Sequence, residues 1–184
     1  MNETFGLFLE NILPNNMVLI YSLGVLVSFV ETDRVRPSLI KGVKFAFAVF
    51  FAGIFGWIIV DAIGIEFEFL AAWVFFLISL GIIIILQYLG ELKGDFYGLP
   101  KLFLFLPTLV GFQWLILERD LVFSDMMITV FANAIGFYIA FVLIATLKEQ
   151  MRISEANDIF KLAPAILIGL GIAAMGVAGF SFLY

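Results

Sequence analysis

Long apolar runs separated by short polar joints make up nearly the whole chain. Six segments stand out, at about Phe5–Val30, Ser38–Ile63, Phe69–Leu89, Leu102–Leu117, Phe123–Leu147 and Leu162–Leu183. Runs of roughly 20 apolar residues match the thickness of a bilayer core. In hydrocarbon the backbone must satisfy its own polar groups, which leaves helices or closed barrels. These runs are continuous rather than alternating and too long for barrel strands, so they predict helices. The joints are short, and the expected architecture is an all-α membrane protein of six transmembrane helices in one integral membrane domain, residues 1–184.

The first run is irregular. Glu10, Asn11, Asn15 and Asn16 crowd around Pro14 within "LENILPNNMVLIYSLG", Leu9–Gly24. After Asn16 only Met17–Val30 is uniformly apolar. At 1.5 Å per residue those residues reach about 21 Å, short of a core about 30 Å thick. The fourth run is also short and carries Pro107. Proline removes a backbone donor and crowds the preceding turn, so Pro14 and Pro107 are the expected helix breaks. Asn15 and Asn16 are suited to cap a helix restarting after Pro14. A surface helix over residues 5–13, lying on the membrane ahead of a short span, is the other reading of this stretch.

The two prolines also suggest an internal duplication. "ILPNNMVLIYSLG" aligns with "FLPTLVGFQWLIL" at an offset of 93 residues, and "FLISLGIII" with "ILIGLGIAA" at an offset of 90. Three spans plus three give halves of opposite topology, about 1–92 and 93–184. Interrupted first and fourth helices of such an inverted repeat are expected to meet near the midplane.

Charge sets the expected direction. Arg34, Arg36, Lys41, Lys44, Lys93, Lys101, Lys148, Arg152 and Lys161 follow odd-numbered spans, and Arg119 alone falls on the other side. The positive-inside rule then puts both termini outside the cytoplasm, in a multi-pass protein of the cell inner membrane. The opposite joints are acidic, with Asp61, Glu66, Glu68, Glu118, Asp120 and Asp125, read as a solvated rim or an ion-attracting vestibule. No cleavable signal peptide is expected, since the first residues carry Glu3 and Glu10 instead of a positive region. Trp57, Trp73 and Tyr184 suit one membrane interface, and Tyr88 and Tyr97 the other.

Composition removes several chemistries. The chain has no Cys and no His, and 64% of its residues are hydrophobic. Disulfides, thiolate catalysis, Cys-held clusters and His-held metal or haem are excluded within this chain. No nucleotide loop, paired carboxylates or nucleophile constellation is visible. The inward cations need only anionic lipid as partner, and nothing points to nucleic acid. The small-residue stripes Ala52-x-x-x-Gly56 and Ala165-x-x-x-Gly169-x-x-x-Ala173 predict close helix packing, within the chain or in a homodimer. Gln87, Gln113, Thr129 and Asn133 are the polar residues inside predicted spans, and are expected to face the bundle interior. Asn15, Asn16, Gln113 and Asn133 form the candidate midplane polar site.

"LPNNMVLIYSLG", the "FLP" of Phe105–Pro107, "LIATLKEQM" (Leu143–Met151) and "AILIGLGIAAMGVAGF" (Ala165–Phe180) fall in this order along the chain. In these motifs the chain resembles RnfA and NqrE, six-helix subunits of the Rnf and Nqr electron-transport complexes. The resemblance implies a 3+3 inverted repeat with outside termini and a homologous partner of opposite topology. It also implies cysteines from each half that help hold an iron–sulfur cluster between the partners. Leu26 and Gln113 stand at the positions those cysteines take. The expected chain is therefore a non-catalytic subunit of an ion-translocating electron-transport complex without a cofactor of its own. It would act as a scaffold or as part of an ion or electron path, with iron–sulfur or flavin groups in partner subunits. A small stand-alone inverted-repeat transporter and a purely structural membrane subunit are the alternatives.

Overall fold

A computed structural model describes residues 3–64, 68–92, 94–96, 99–119, 121–153 and 163–179. Seven helices and one small hairpin make up the described residues: α1 (Glu3–Ile12), α2 (Val25–Glu31), α3 (Val35–Ile63), α4 (Glu68–Tyr88), β1 (Asp95–Phe96), β2 (Leu99–Pro100), α5 (Leu102–Leu117), α6 (Phe123–Ile153) and α7 (Ala163–Ala178). Three of them, α3, α4 and α6, are long and apolar enough to cross a membrane, and α5 and α7 are shorter apolar helices. The chain is a multi-pass membrane protein. Asp95 pairs with Pro100 and Phe96 with Leu99 in the hairpin between α4 and α5.

The antiparallel pair α3 and α6 is the spine. Its close approach is set by glycine. A Cβ at Gly42 would meet Phe141 at 3.0 Å, and one at Gly53 would meet Phe112 at 2.8 Å and Val130 at 2.9 Å. Trp57 of α3 packs on Phe123 at the start of α6, with ring centroids 5.8 Å apart. Around this spine the buried rings of Phe45, Phe105, Phe137 and Phe141 join α3, α5 and α6. Ala52 is fully buried and Gly56 lies against Gln113, so the stripe on α3 packs within the chain. Gly169 of α7 rests on Leu147 of α6, while Leu167, Ile168, Ile172 and Met175 are exposed.

The antiparallel register collects charge at two ends. Lys41 and Lys101 both pair with Glu31, Lys44 pairs with Glu91, and Lys148 donates to the carbonyls of Phe29 and Thr32. Arg34, Arg36 and Arg152 lie on the same end turns of α3 and α6. Asp61, Glu118, Arg119 and Asp125 lie at the opposite end. Lys93, Asp120, Lys161, Glu66, Tyr97, Tyr184 and the side chain of Glu68 lie outside the described residues.

Three expectations change. The fourth span is a single helix: α5 runs unbroken from Leu102 to Leu117 with Pro107 inside it. Pro107 is the sixth residue of α5, so it removes one ladder bond, to the Phe103 carbonyl, and the helix continues through it. The fifth span continues past Leu147 to Ile153, because Lys148, Glu149, Gln150, Met151 and Arg152 all favour helix and none breaks it. Gln87 is exposed rather than interior. It precedes the last residue of α4, where an amide can reach the polar interface.

Candidate functional site

The first span is interrupted, and more deeply than a proline kink would make it. Twelve residues, Leu13–Gly24, separate α1 from α2. The end of α1 is closed by Asn15 N–H donating five residues back to the Glu10 carbonyl at 2.8 Å. One further turn follows, Leu23 N–H donates to the Met17 carbonyl at 2.9 Å, and the backbone is left-handed at Ser22 (φ 58°) and Gly24 (φ 91°). Gly24 is needed twice over. Its φ disfavours a side chain, and a Cβ would meet the Phe137 ring at 2.8 Å and the Thr108 methyl at 3.0 Å.

Asn16 holds the break together. Its side chain is almost wholly buried. Oδ1 accepts from the N–H groups of Val18 at 2.9 Å and Leu19 at 3.1 Å, while Nδ2 donates to the Ile12 carbonyl at 2.9 Å. One amide thus serves the free carbonyl end of α1 and the free amides of the turn after it. Asn15 does something different: its Nδ2 donates to Glu10 Oε1 at 2.8 Å, at the partly exposed side of the break.

Above the break, Asn11 ties three elements. It is fully buried, and its Nδ2 donates to the Leu7 carbonyl at 2.8 Å. Its Oδ1 accepts from Arg119 Nη1 at the end of α5 and from Asn133 Nδ2 of α6 at 3.2 Å. Asn133 Nδ2 also donates to the Thr129 carbonyl at 2.9 Å. Asn133 Oδ1 and Thr129 Oγ1 are buried and have no hydrogen-bond partner among the described residues. Gly136, one turn on, makes room for the break: a Cβ would meet Asn16 Nδ2 at 2.7 Å and the Ile12 carbonyl at 3.3 Å.

Gln113 bonds elsewhere. Its Nε2 donates to Ser79 Oγ at 2.7 Å and to the Leu109 carbonyl at 3.1 Å, and Gly56 of α3 leaves space for the amide. Its Oε1 is buried without a partner among the described residues. The contact of α5 with the break is apolar instead, through Leu23 on Gly111 and Gly24 on Thr108. Of the candidate residues, then, Asn16 and Asn133 flank the α1–α6 seam, Asn15 turns back on α1, and Gln113 joins α4 and α5.

At the other end of the first span Glu31 is the anchor. Its side chain is 1% exposed and lies 2.6 Å from Lys41 Nζ and 3.1 Å from Lys101 Nζ. Lys148 Nζ sits at the C-terminus of α2, 2.8 Å from the Phe29 carbonyl and 4.8 Å from the Phe29 ring centroid. Glu149 accepts from Val35 N–H at 2.7 Å, at the start of α3.

Sequence reasoning missed Asn11, Ser79 and Glu31 as partners. Asn11 belongs to the polar cluster around Pro14, and Arg119 is the lone cation of the acidic end; those were the available signals. Ser79 carried none.

No family model matches the chain. Curated relatives do match it, along its whole length. They are RnfA proteins of the ion-translocating oxidoreductase complex. The chain is 26% identical to RnfA of Sodalis glossinidius and 25% identical to that of Erwinia tasmaniensis, each over 100% of this chain and 98% of the relative. The Vibrio vulnificus RnfA is 23% identical over 100% and 99%. The chain is similar, end to end, to RnfA. This bears out the resemblance read from the motifs.

The iron–sulfur cluster that this resemblance implies does not fit the residues present. Leu26 offers a half-exposed alkyl side chain on α2. Gln113 is buried, with its amide nitrogen committed to Ser79. Neither supplies the thiolate such clusters require.

Proposed function

We infer that the chain is an integral membrane subunit of an ion-translocating oxidoreductase complex, related to RnfA and without a cluster of its own. The observation that carries this reading is the full-length similarity to RnfA from several bacteria. The all-helical membrane fold and the broken first span support it. In this reading six spans cross the inner membrane as a 3+3 repeat of halves 1–92 and 93–184, and both termini are extracytoplasmic. A homologous subunit of opposite topology is the partner, and iron–sulfur or flavin groups belong to other subunits. The chain itself does no chemistry. It is a scaffold, or one wall of an ion or electron path. The test is isolation of the tagged chain from its native membrane, with identification of what accompanies it. A second six-helix chain together with redox subunits is the expected outcome. A chain that arrives alone sinks the reading.

A stand-alone transporter is the second reading. The buried, unpartnered Thr129 Oγ1 and Asn133 Oδ1 beside a broken helix favour it. Isolation of the chain alone, with transport after reconstitution, would select it.

Two further outcomes are expected. The chain has no native cysteine, so single-cysteine variants report cleanly. Ser124→Cys, exposed at the acidic end, should react with an impermeant maleimide on intact cells. Arg36→Cys, exposed at the cation-rich end, should react only after permeabilisation. The reverse pattern overturns the orientation. Purified alone, the chain should contain far less than one iron per molecule; stoichiometric iron with visible absorption would contradict the ligand argument.

A further inference from the structure

A groove runs along the outer surface between α3 and α4. One wall is a ladder of rings on α3: Phe47, Phe51 and Phe55, with successive centroids 6.4 Å and 6.0 Å apart. Ile82 and Ile85 of α4 and Leu89 just after it form the other wall, and the open groove between the walls holds about 410 Å³. The lining is apolar except at one end, where Lys44 stands. Lys44 Nζ pairs with Glu91 Oε1; their side chains are 43% and 13% exposed.

The dimensions select the occupant. Helical rise from Lys44 to Phe55 is about 17 Å, close to half of a hydrocarbon core about 30 Å thick. The groove therefore begins at the cation-rich interface and ends near the midplane, one leaflet deep. Its length and apolar lining suit one extended alkyl chain whose polar end lies at Lys44.

The mouth selects the headgroup. A purely anionic headgroup would draw Lys44 from Glu91 and leave a mostly buried carboxylate unpaired, which is costly. A headgroup with both a phosphate and a primary amine leaves neither charge unpaired: the phosphate accepts from Lys44 and the ammonium donates to Glu91. We propose that the α3–α4 groove is a binding site for one acyl chain of an ethanolamine phospholipid, whose headgroup is read by the Lys44–Glu91 pair.

Native mass spectrometry of the full chain, titrated with dioleoyl lipids in a mild detergent, tests this. One phosphatidylethanolamine should be retained at saturation. It should be favoured by about five-fold over phosphatidylglycerol, which lacks the amine, and over phosphatidylcholine, whose quaternary ammonium has no N–H to donate, a margin of the size of one exposed charged contact. Glu91→Gln should move the preference to phosphatidylglycerol, because Lys44 is then unpaired. Ile85→Trp, at the exposed rim of the groove, should remove the retained lipid while the protein still elutes as a single species. Equal retention of the three lipids overturns the proposal, as does a preference that survives both substitutions. Should either variant aggregate, the three-lipid comparison on the unmodified chain decides alone.

Discussion

Replacing Asn16 by Leu should lower the unfolding temperature of the detergent-solubilised protein by about 10 °C. The change removes three hydrogen bonds made by one amide, to Val18 N–H, Leu19 N–H and the Ile12 carbonyl. No water is at hand to replace them at a residue 1% exposed. Each buried polar group left unpaired costs about 1–3 kcal/mol, and some relaxation of the loop leaves a total of roughly 3–5 kcal/mol. At about 2–4 °C per kcal/mol for a chain of this size, that gives the stated shift. Asn15→Leu is the matched control. It loses one partly exposed bond to Glu10 and should shift unfolding by less than about 3 °C. Thermal scans of the two variants side by side check the assignment. Equal effects would mean that Asn16 is not the staple of the break.

Gly136→Leu should detach the first segment from α6. Its Cβ would lie 2.7 Å from Asn16 Nδ2 and 3.3 Å from the Ile12 carbonyl, which is backbone and cannot rotate away. Overpacking of this kind costs about 1–3 kcal/mol, and displacing Asn16 adds the loss of its bonds. Met17 is fully buried in the break, so Met17→Cys should resist maleimide in an otherwise unchanged chain and react rapidly when Gly136→Leu is added. Gly171→Leu, with nothing within 4 Å of its Cβ, should leave Met17→Cys protected. Protection in both backgrounds would show that the α1–α6 seam tolerates the bulk.

Most helices could be placed from the sequence because apolar length alone defines them. The fourth span lies where the pattern puts it, and α3 and α4 end within a few residues of the expected limits. Pro107 misled, since it removes a single ladder bond from an otherwise apolar helix that continues through it, while Pro14 sits among competing polar side chains. The apolar pattern does not register that difference. Asn16 was legible as a cap because its chemistry is local, with every partner within four residues. Asn11, whose partners Arg119 and Asn133 lie 108 and 122 residues away, was not. Neither was the division of the polar residues into two sites: Gln113 and Asn133 look alike in sequence, and only packing directs one to Ser79 and the other to Asn11.

The Glu31 anchor bears on how such a protein is handled. Salt weakens charge pairs that water can reach and barely touches those it cannot. Lys44 and Glu91 lie partly in reach of ions, while the carboxylate of Glu31 is shut away between two lysines. A concentrated salt wash that strips loosely held soluble proteins from a membrane should therefore leave the first segment moored. Components lost in such a wash report on weak docking, not on a chain that has come undone.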